Sequence, residues 1–314
     1  MLFRTLYTLH LTPFFVSVEP AAVCQLHCPA CPVGINQKSK LQNQKSQLMS
    51  RPVWERTLAE VSRTARVIQF YFQGEPLLHK DLPTMIAEAH RAGLYTIVST
   101  NAQAMTPELA EALVRSGLNR IIISMDGLTE ESYGAYRIGG SLDKTKAALQ
   151  WLREAKSAKK KNAFLLGRVG VGSSPIIELQ CLRLKSNEHE WSEFKRVYKS
   201  LGADRLTFKT AQLYDYADGH PLMPSDARYS RYTQGPDGHY HRKRRWPWCT
   251  RVLTGCVITT TGDVLPCCYD KAHEHVFGNI MDAPLANILR SDKARAFIRA
   301  AQHEQPQICK ECWR

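Results

Sequence analysis

The sequence predicts an α/β protein: a partial (β/α)6, TIM-like barrel followed by a small C-terminal cysteine-rich domain. Three observations predict it. Six apolar, β-branched or aromatic runs lie between residues 14 and 210, separated by segments of helical periodicity. Helical segments end on glycine directly before the next run, at Gly93, Gly117 and Gly202. Chemistry-bearing polar residues recur at the carboxyl ends of the runs, where parallel α/β folds build their active sites.

The runs are Phe14 to Glu19, Val67 to Gln73, Leu94 to Thr100, Arg120 to Met125, Ile176 to Leu184 and Asp204 to Thr210. A helix is predicted from Thr106-Pro107-Glu108, an N-cap followed by proline at the first helical position, to Gly117. Glycine after a helix supplies the left-handed residue that turns the chain into a strand. Beyond the first run stand Cys24, Cys28 and Cys31; the second ends in Gln73-Gly74-Glu75-Pro76, the third in Ser99-Thr100-Asn101 and the fourth in Ser124-Met125-Asp126. The fifth runs into Asn187 and the sixth ends near Lys209. These ends converge best on a common mouth, which favours a curled sheet over a flat one. The barrel is expected over residues 1–215, a Gly-, Pro-, Tyr- and charge-rich connecting segment over 216–245, and a compact cysteine-bearing domain over 246–314.

At 314 residues and 44% hydrophobic, the chain can bury one sizeable core and a smaller appended one. No apolar run approaches the roughly 18 residues that span a bilayer. The apolar opening from Met1 to Val18 is interrupted by His10 and runs into a strand, so it reads as part of the fold and not as an export signal. Ten cysteines in short spacings, without such a signal, point to metal or cluster ligation in a reducing, cytoplasmic setting. The net charge of +13, with runs at Lys159-Lys160-Lys161 and Arg242-Lys243-Arg244-Arg245, admits an anionic partner, although solvated helix ends and loops explain such runs better.

Cys24-Gln-Leu-His-Cys28-Pro-Ala-Cys31 places three thiols within eight residues. A 4Fe–4S cluster ordinarily takes four thiolates, so three leave one iron open to another ligand. S-adenosylmethionine (SAM) can fill it with its amino and carboxylate groups. A structural zinc site is the alternative; its fourth ligand would have to be His27, which is poorly spaced. A Cys-x3-Cys-x2-Cys loop after the first strand resembles the radical SAM superfamily. The resemblance implies reductive cleavage of SAM to a 5′-deoxyadenosyl radical that abstracts a substrate hydrogen, with Cys24, Cys28 and Cys31 as cluster ligands. Gln73-Gly74-Glu75-Pro76 is similar to the family's glycine–glycine–glutamate motif, with Gln in place of the first glycine. Gly74 and Glu75 are thereby implied to meet the SAM amino group, Thr100 and Asn101 the ribose, and Ser124 and Arg137 the carboxylate, which an Arg fork grips bidentately. Many members carry an aromatic residue before the third cysteine; this chain has Ala30.

Toward the C-terminus, Cys249, Gly262 with Cys267 five residues later, and Cys309-Lys-Glu-Cys312 make one four-thiolate set. This resembles the SPASM auxiliary-cluster domain in its shortened twitch form, and implies a second, fully coordinated 4Fe–4S cluster held by Cys249, Cys267, Cys309 and Cys312. Cys268 could exchange with Cys267, and a zinc ribbon is the alternative for the whole domain. Cys256 and Cys181 lie in apolar runs and read as core.

The resemblance spans Val16 to Cys312 and implies an oxidoreductase served by an electron donor such as a flavodoxin or ferredoxin. A closed auxiliary cluster suits net oxidation. Few residues precede Phe14, which favours a sugar-like small molecule as substrate over a peptide; maturation of a ribosomal peptide or protein is the alternative. A non-enzymatic zinc- or RNA-binding protein is the rival from another class, but no interleaved basic–aromatic motif supports nucleic-acid binding, and no membrane partner is expected.

Overall fold

The computed structural model describes residues 13–35, 47–165, 175–243, 249–304, 306–310 and 312. The first twelve residues, including His10, and Arg244 and Arg245 of the second basic run lie outside the described residues. All six predicted strands form: β1 Phe15–Val18, β2 Val67–Phe70, β3 Tyr95–Thr100, β4 Arg120–Ser124, β5 Ile176–Arg183 and β6 Arg205–Thr210. They pair in parallel and in sequence order, β1 to β6. The second strand is shorter than predicted: pairing stops at Phe70, and residues 71–75 turn across the mouth.

Thr106 caps the helix Pro107–Arg115, its hydroxyl accepting from Leu109 N–H, and Gly93, Gly117 and Gly202 all adopt positive φ. Alternation along the strands divides the side chains. Val16, Val18, Ile68, Phe70, Val98, Ile121, Ile123, Ile177, Leu179 and Cys181 face the helices and form the main core. Their strand neighbours Ser17, Gln69, Ser99, Ser124, Gln180 and Lys209 occupy the opposite, inner face. Polarity on that face is the expected signature of a chamber and not of a packed barrel centre.

The segment beyond residue 215 is more regular than expected of a connector. It holds an antiparallel hairpin of β7 Tyr232–Gln234 and β8 Tyr240–Arg242. Residues 255–279 then add β9 Gly255–Ile258, β10 Asp263–Leu265 and β11 Gly278–Asn279 to the barrel sheet. β9 pairs in parallel with β1 on the side away from β2, so the sheet runs β11-β10-β9-β1-β2-β3-β4-β5-β6. The C-terminal segment therefore shares a sheet with the barrel and stands beside the strand that leads into the first cysteine loop. Cys256 is buried in the core from β9, and Cys181 from β5, as their apolar contexts predicted. Lys159 lies on the helix Leu142–Leu165 and donates to Val114 O at 3.0 Å, so part of the first basic run is structural. No helix among the described residues is long and apolar enough to cross a membrane.

Candidate active site

The loop after β1 carries Cys24, Cys28 and Cys31, and the short helix Pro32–Ile35 follows. Cys28 is buried and the other two are half-buried. The three thiols lie within electrostatic reach of one another. Burial pushes the Cys24 thiol up to about 11, opposed by a hydrogen bond from the main chain of Leu26. Burial likewise raises Cys28, against the attraction of Arg137. Bare thiolates are thus disfavoured here, and a bound cation-rich group would have to stabilise them. Donors already face the sulfurs: Leu26 N–H and Asn101 Nδ2 reach Cys24 Sγ at 3.4 Å, and Arg137 Nη1 stands 3.9 Å from Cys28 Sγ. His27 is exposed on the same loop, which counts against it as a fourth zinc ligand.

Gly74 and Glu75 pack against this loop from the end of β2. A Cβ at residue 74 would lie 2.1 Å from Ala21 O and 2.7 Å from Val23 O, so only glycine permits the approach. Glu75 N–H then donates to Val23 O at 2.7 Å. The Glu75 carboxylate is fully enclosed. It accepts from Leu77 N–H at 3.0 Å, Thr100 Oγ1 at 2.6 Å and Asn101 N–H at 2.8 Å. Burial raises its pKa, and these three donors oppose the rise. Asn101 Oδ1 accepts from Gln25 Nε2 and Gln103 N–H, while its Nδ2 turns to Cys24. Gly74, Glu75, Thr100 and Asn101 are therefore brought together around the Cys24 side of the loop.

Ser124 and Arg137 stand on the Cys28 side. Ser124 is buried at the end of β4, in register with Gln180. Arg137 Nε donates to Asp126 Oδ2 at 2.6 Å, and Asp126 Oδ1 accepts from Leu182 N–H. Burial opposes the guanidinium charge, but Asp126 and Cys28 more than offset it and hold Arg137 well above its ordinary pKa. Asp126 is a site residue that the sequence marks only as a strand end. Its position at the mouth was legible; its partner, eleven residues on, was not.

At the other cysteine group, Cys249, Cys268 and Cys312 surround Cys267 electrostatically, and burial raises the Cys267 thiol well above its ordinary value. Gln302 grips the main chain of Cys249 from both sides, accepting from its N–H and donating to its carbonyl. Cys312 N–H donates to Cys309 O at 3.3 Å, closing the terminal turn, and Cys309 is buried. Arg251 Nη1 donates to the Cys268 sulfur at 3.2 Å, and both act on inner-face residues of the barrel. Arg251 also acts on Cys267 and Cys312, so both adjacent sulfurs stand beside this group. No three His, Cys, Asp or Glu side chains among the described residues converge on a point that would hold a single metal ion. The chemistry of the donor sets fits iron–sulfur clusters: softly ligating thiols, buried or half-buried, with hydrogen-bond donors aimed at Cys24 and Cys28.

Residues 18–171 match the radical SAM superfamily, and residues 249–313 match SPASM, an iron–sulfur cluster-binding domain. The chain is 25% identical to a PqqA peptide cyclase of Gluconobacter oxydans over 98% of its own length and 84% of that protein's. It is 27% identical to a PqqA peptide cyclase of Streptomyces rochei, covering 81% and 69%. Among solved structures, Streptococcus suis SuiB bound to S-adenosylmethionine aligns with a TM-score of 0.68 at 15% identity, over 96% of this chain and 72% of that one. Native anSMEcpe with bound AdoMet aligns with a TM-score of 0.66 at 17% identity, over 96% and 86%. At these identities the structural likeness establishes the fold alone.

Proposed function

We propose, from the premise that this chain belongs to the radical SAM superfamily and carries a C-terminal SPASM domain, that it is a peptide-modifying radical SAM oxidoreductase. Its cofactors are SAM, the SAM-binding 4Fe–4S cluster and an auxiliary iron–sulfur cluster. When bound, they supply the electron that cleaves SAM to a 5′-deoxyadenosyl radical and an acceptor for the electron that the substrate loses.

In this reading Cys24, Cys28 and Cys31 hold the first cluster. Cys249, Cys267, Cys309 and Cys312 hold the second. Gly74, Glu75, Thr100, Asn101, Ser124 and Arg137 bind SAM. The observation that carries the reading is the ring of donors from Leu26, Asn101 and Arg137 aimed at two cluster-loop sulfurs beside the enclosed Glu75. Glu75 orients Thr100 and Asn101, and Asp126 holds the Arg137 fork, so both edges of the SAM site are set before SAM arrives. The names of the two relatives, both PqqA peptide cyclases, favour a peptide over the sugar-like small molecule.

The test is anaerobic reconstitution, iron and sulfide counting, and a 5′-deoxyadenosine assay. The triple variant Cys24→Ala/Cys28→Ala/Cys31→Ala should lose about half its iron and all SAM cleavage. Cleavage by that variant would overturn the site.

A further inference from the structure

The ladder between β4 and β5 runs out where the segment leading to Arg137 begins. Its last paired residues are Ser124 and Gln180, and Met125 N–H still donates to Gln180 O at 2.9 Å. Beyond that point side chains take over. Asp126 Oδ1 accepts from Leu182 N–H at 2.6 Å. One amide then reaches a carbonyl on each side: Asn187 Nδ2 donates to Asp126 O at 2.9 Å and to Leu182 O at 2.8 Å. Buried main-chain groups at a strand end need such partners.

Asn187 comes from the turn Lys185–Glu190 that follows β5, and it is fully buried. Its Oδ1 accepts from Leu184 N–H at 3.1 Å and from Trp191 Nε1 at 2.8 Å, so both donors and both acceptor positions of the amide are used. An amide held in this way has a single orientation. Glu190, at the end of the same turn, accepts from Leu128 N–H at 2.9 Å and from Ser132 Oγ at 2.8 Å. One turn therefore grips the segment between β4 and Arg137 at Asp126, Leu128 and Ser132.

The grip bears on the SAM site through Asp126. That residue is fully buried, and both of its carboxylate oxygens are engaged, Oδ1 by Leu182 and Oδ2 by Arg137 Nε. Arg137 Nη1 turns to Cys28 Sγ, and Nη2 makes no hydrogen bond among the described residues. The guanidinium is thus fixed at Nε and open at its far edge. Its contacts are planar and directional, so a shift of Asp126 would turn that open edge away.

We propose that Asn187 is a positioning residue for SAM: through Asp126 it sets the orientation in which the Arg137 fork meets the SAM carboxylate. This rests on the reading of Arg137 as the carboxylate contact and deepens it by naming what holds that contact in place. Asn187 acts through Asp126 and not by touching SAM.

The test is a double-mutant cycle on the reconstituted full chain, with SAM binding followed by calorimetry and urea unfolding measured alongside. Asn187→Ala should weaken SAM binding about tenfold, the equivalent of about one buried hydrogen bond. In an Arg137→Lys background the same substitution should cost less than about twofold, because the fork it orients is gone. In a Glu75→Gln background, on the Cys24 side of the site, it should still cost about tenfold. A purely structural role would lower unfolding stability and carry the same loss of SAM affinity, or none, into every background; either result overturns the proposal. If Arg137→Lys alone binds SAM as the wild type does, the carboxylate reading falls and the positioning role falls with it. If Arg137→Lys weakens binding and Asn187→Ala does not, the positioning role alone fails. Trp191→Phe is the milder companion should Asn187→Ala not fold. It removes the indole donor to Asn187 Oδ1 and keeps an aromatic ring. It should weaken SAM binding about threefold in the wild-type background and not measurably in the Arg137→Lys one. Equal or absent effects in the two backgrounds would overturn the proposal as well.

Discussion

Gln73 Nε2 donates to the main-chain carbonyl of Lys271 at 2.9 Å, tying the loop that carries Gly74 and Glu75 to the loop that follows Cys267 and Cys268. Gln73 is the residue that departs from the family's first glycine, so the departure itself makes the contact. Lys271 answers from its side: its ammonium lies 4.3 Å from the Phe72 ring centroid and 3.4 Å from Phe72 O. Gln73→Gly should loosen this junction by about 1 kcal/mol, the net worth of a neutral hydrogen bond. Amide hydrogen exchange across residues 269–273 should quicken in the variant. Unchanged exchange would assign the cohesion to Lys271 and Phe72 instead.

Glu75 gathers three donors in an enclosed site. Glu75→Gln keeps the shape but turns an amide NH2 toward groups that themselves donate. We expect a loss of about 1.5–3 kcal/mol in unfolding free energy, the range for hydrogen bonds to a charged group, and weaker SAM binding. Urea unfolding of the apo chain and calorimetric SAM binding to the reconstituted chain measure the two separately. A stability loss with unaltered SAM affinity would confine Glu75 to holding Thr100 and Asn101.

Glu19 makes stability pH-dependent. Its carboxylate, at the end of β1, faces the backbone of Gln73, Thr260 and Gly74 without closing a hydrogen bond. Burial raises its pKa to about 7, against the attraction of Lys271. The folded state therefore keeps a proton that the unfolded chain releases near 4.5. The stabilisation is complete below that value and is lost as pH rises through about 7. Relative to Glu19→Gln, the wild type should lose up to about 3 kcal/mol between roughly pH 5 and 8. Denaturant melts of both chains across that range provide the measurement; parallel curves would contradict it.

Arg137 bridges Asp126 and the Cys28 sulfur, a span that depends on the guanidinium fork. Arg137→Lys keeps the charge but cannot make both contacts. SAM affinity should fall by about 1.5–3 kcal/mol, and Asp126→Asn should produce a smaller loss in the same direction by freeing the fork. If Arg137→Lys binds SAM as the wild type does, the carboxylate contact belongs to another residue.

Much of the fold and of the site is legible in the amino-acid order alone. Six strands, three glycine-terminated helices and two cysteine groups are local patterns, decided by side-chain alternation, backbone freedom and ligand spacing over a few residues. Those patterns point to the barrel and to the family. What escapes them is long-range. The irregular composition of 216–245 hides the hairpin of β7 and β8, because such short strands carry no clear periodicity. The parallel pairing of β9 with β1 joins residues 15 and 255, and nothing in either run names its partner.

The sequence by itself set out the chemistry on which the proposed function draws: three closely spaced thiols, a second set of four, and a glycine–glutamate pair at a strand end. Only the tertiary structure decided which groups share a space. It set Cys268 against Arg251, with Cys267 in electrostatic reach of Cys249, Cys268 and Cys312. It carried Gln73 to Lys271 across 198 positions. It also paired Arg120 on β4 with the buried Glu178 on β5. Charge pairing and hydrogen bonding across such separations are properties of three-dimensional neighbours, which a local sequence pattern does not name.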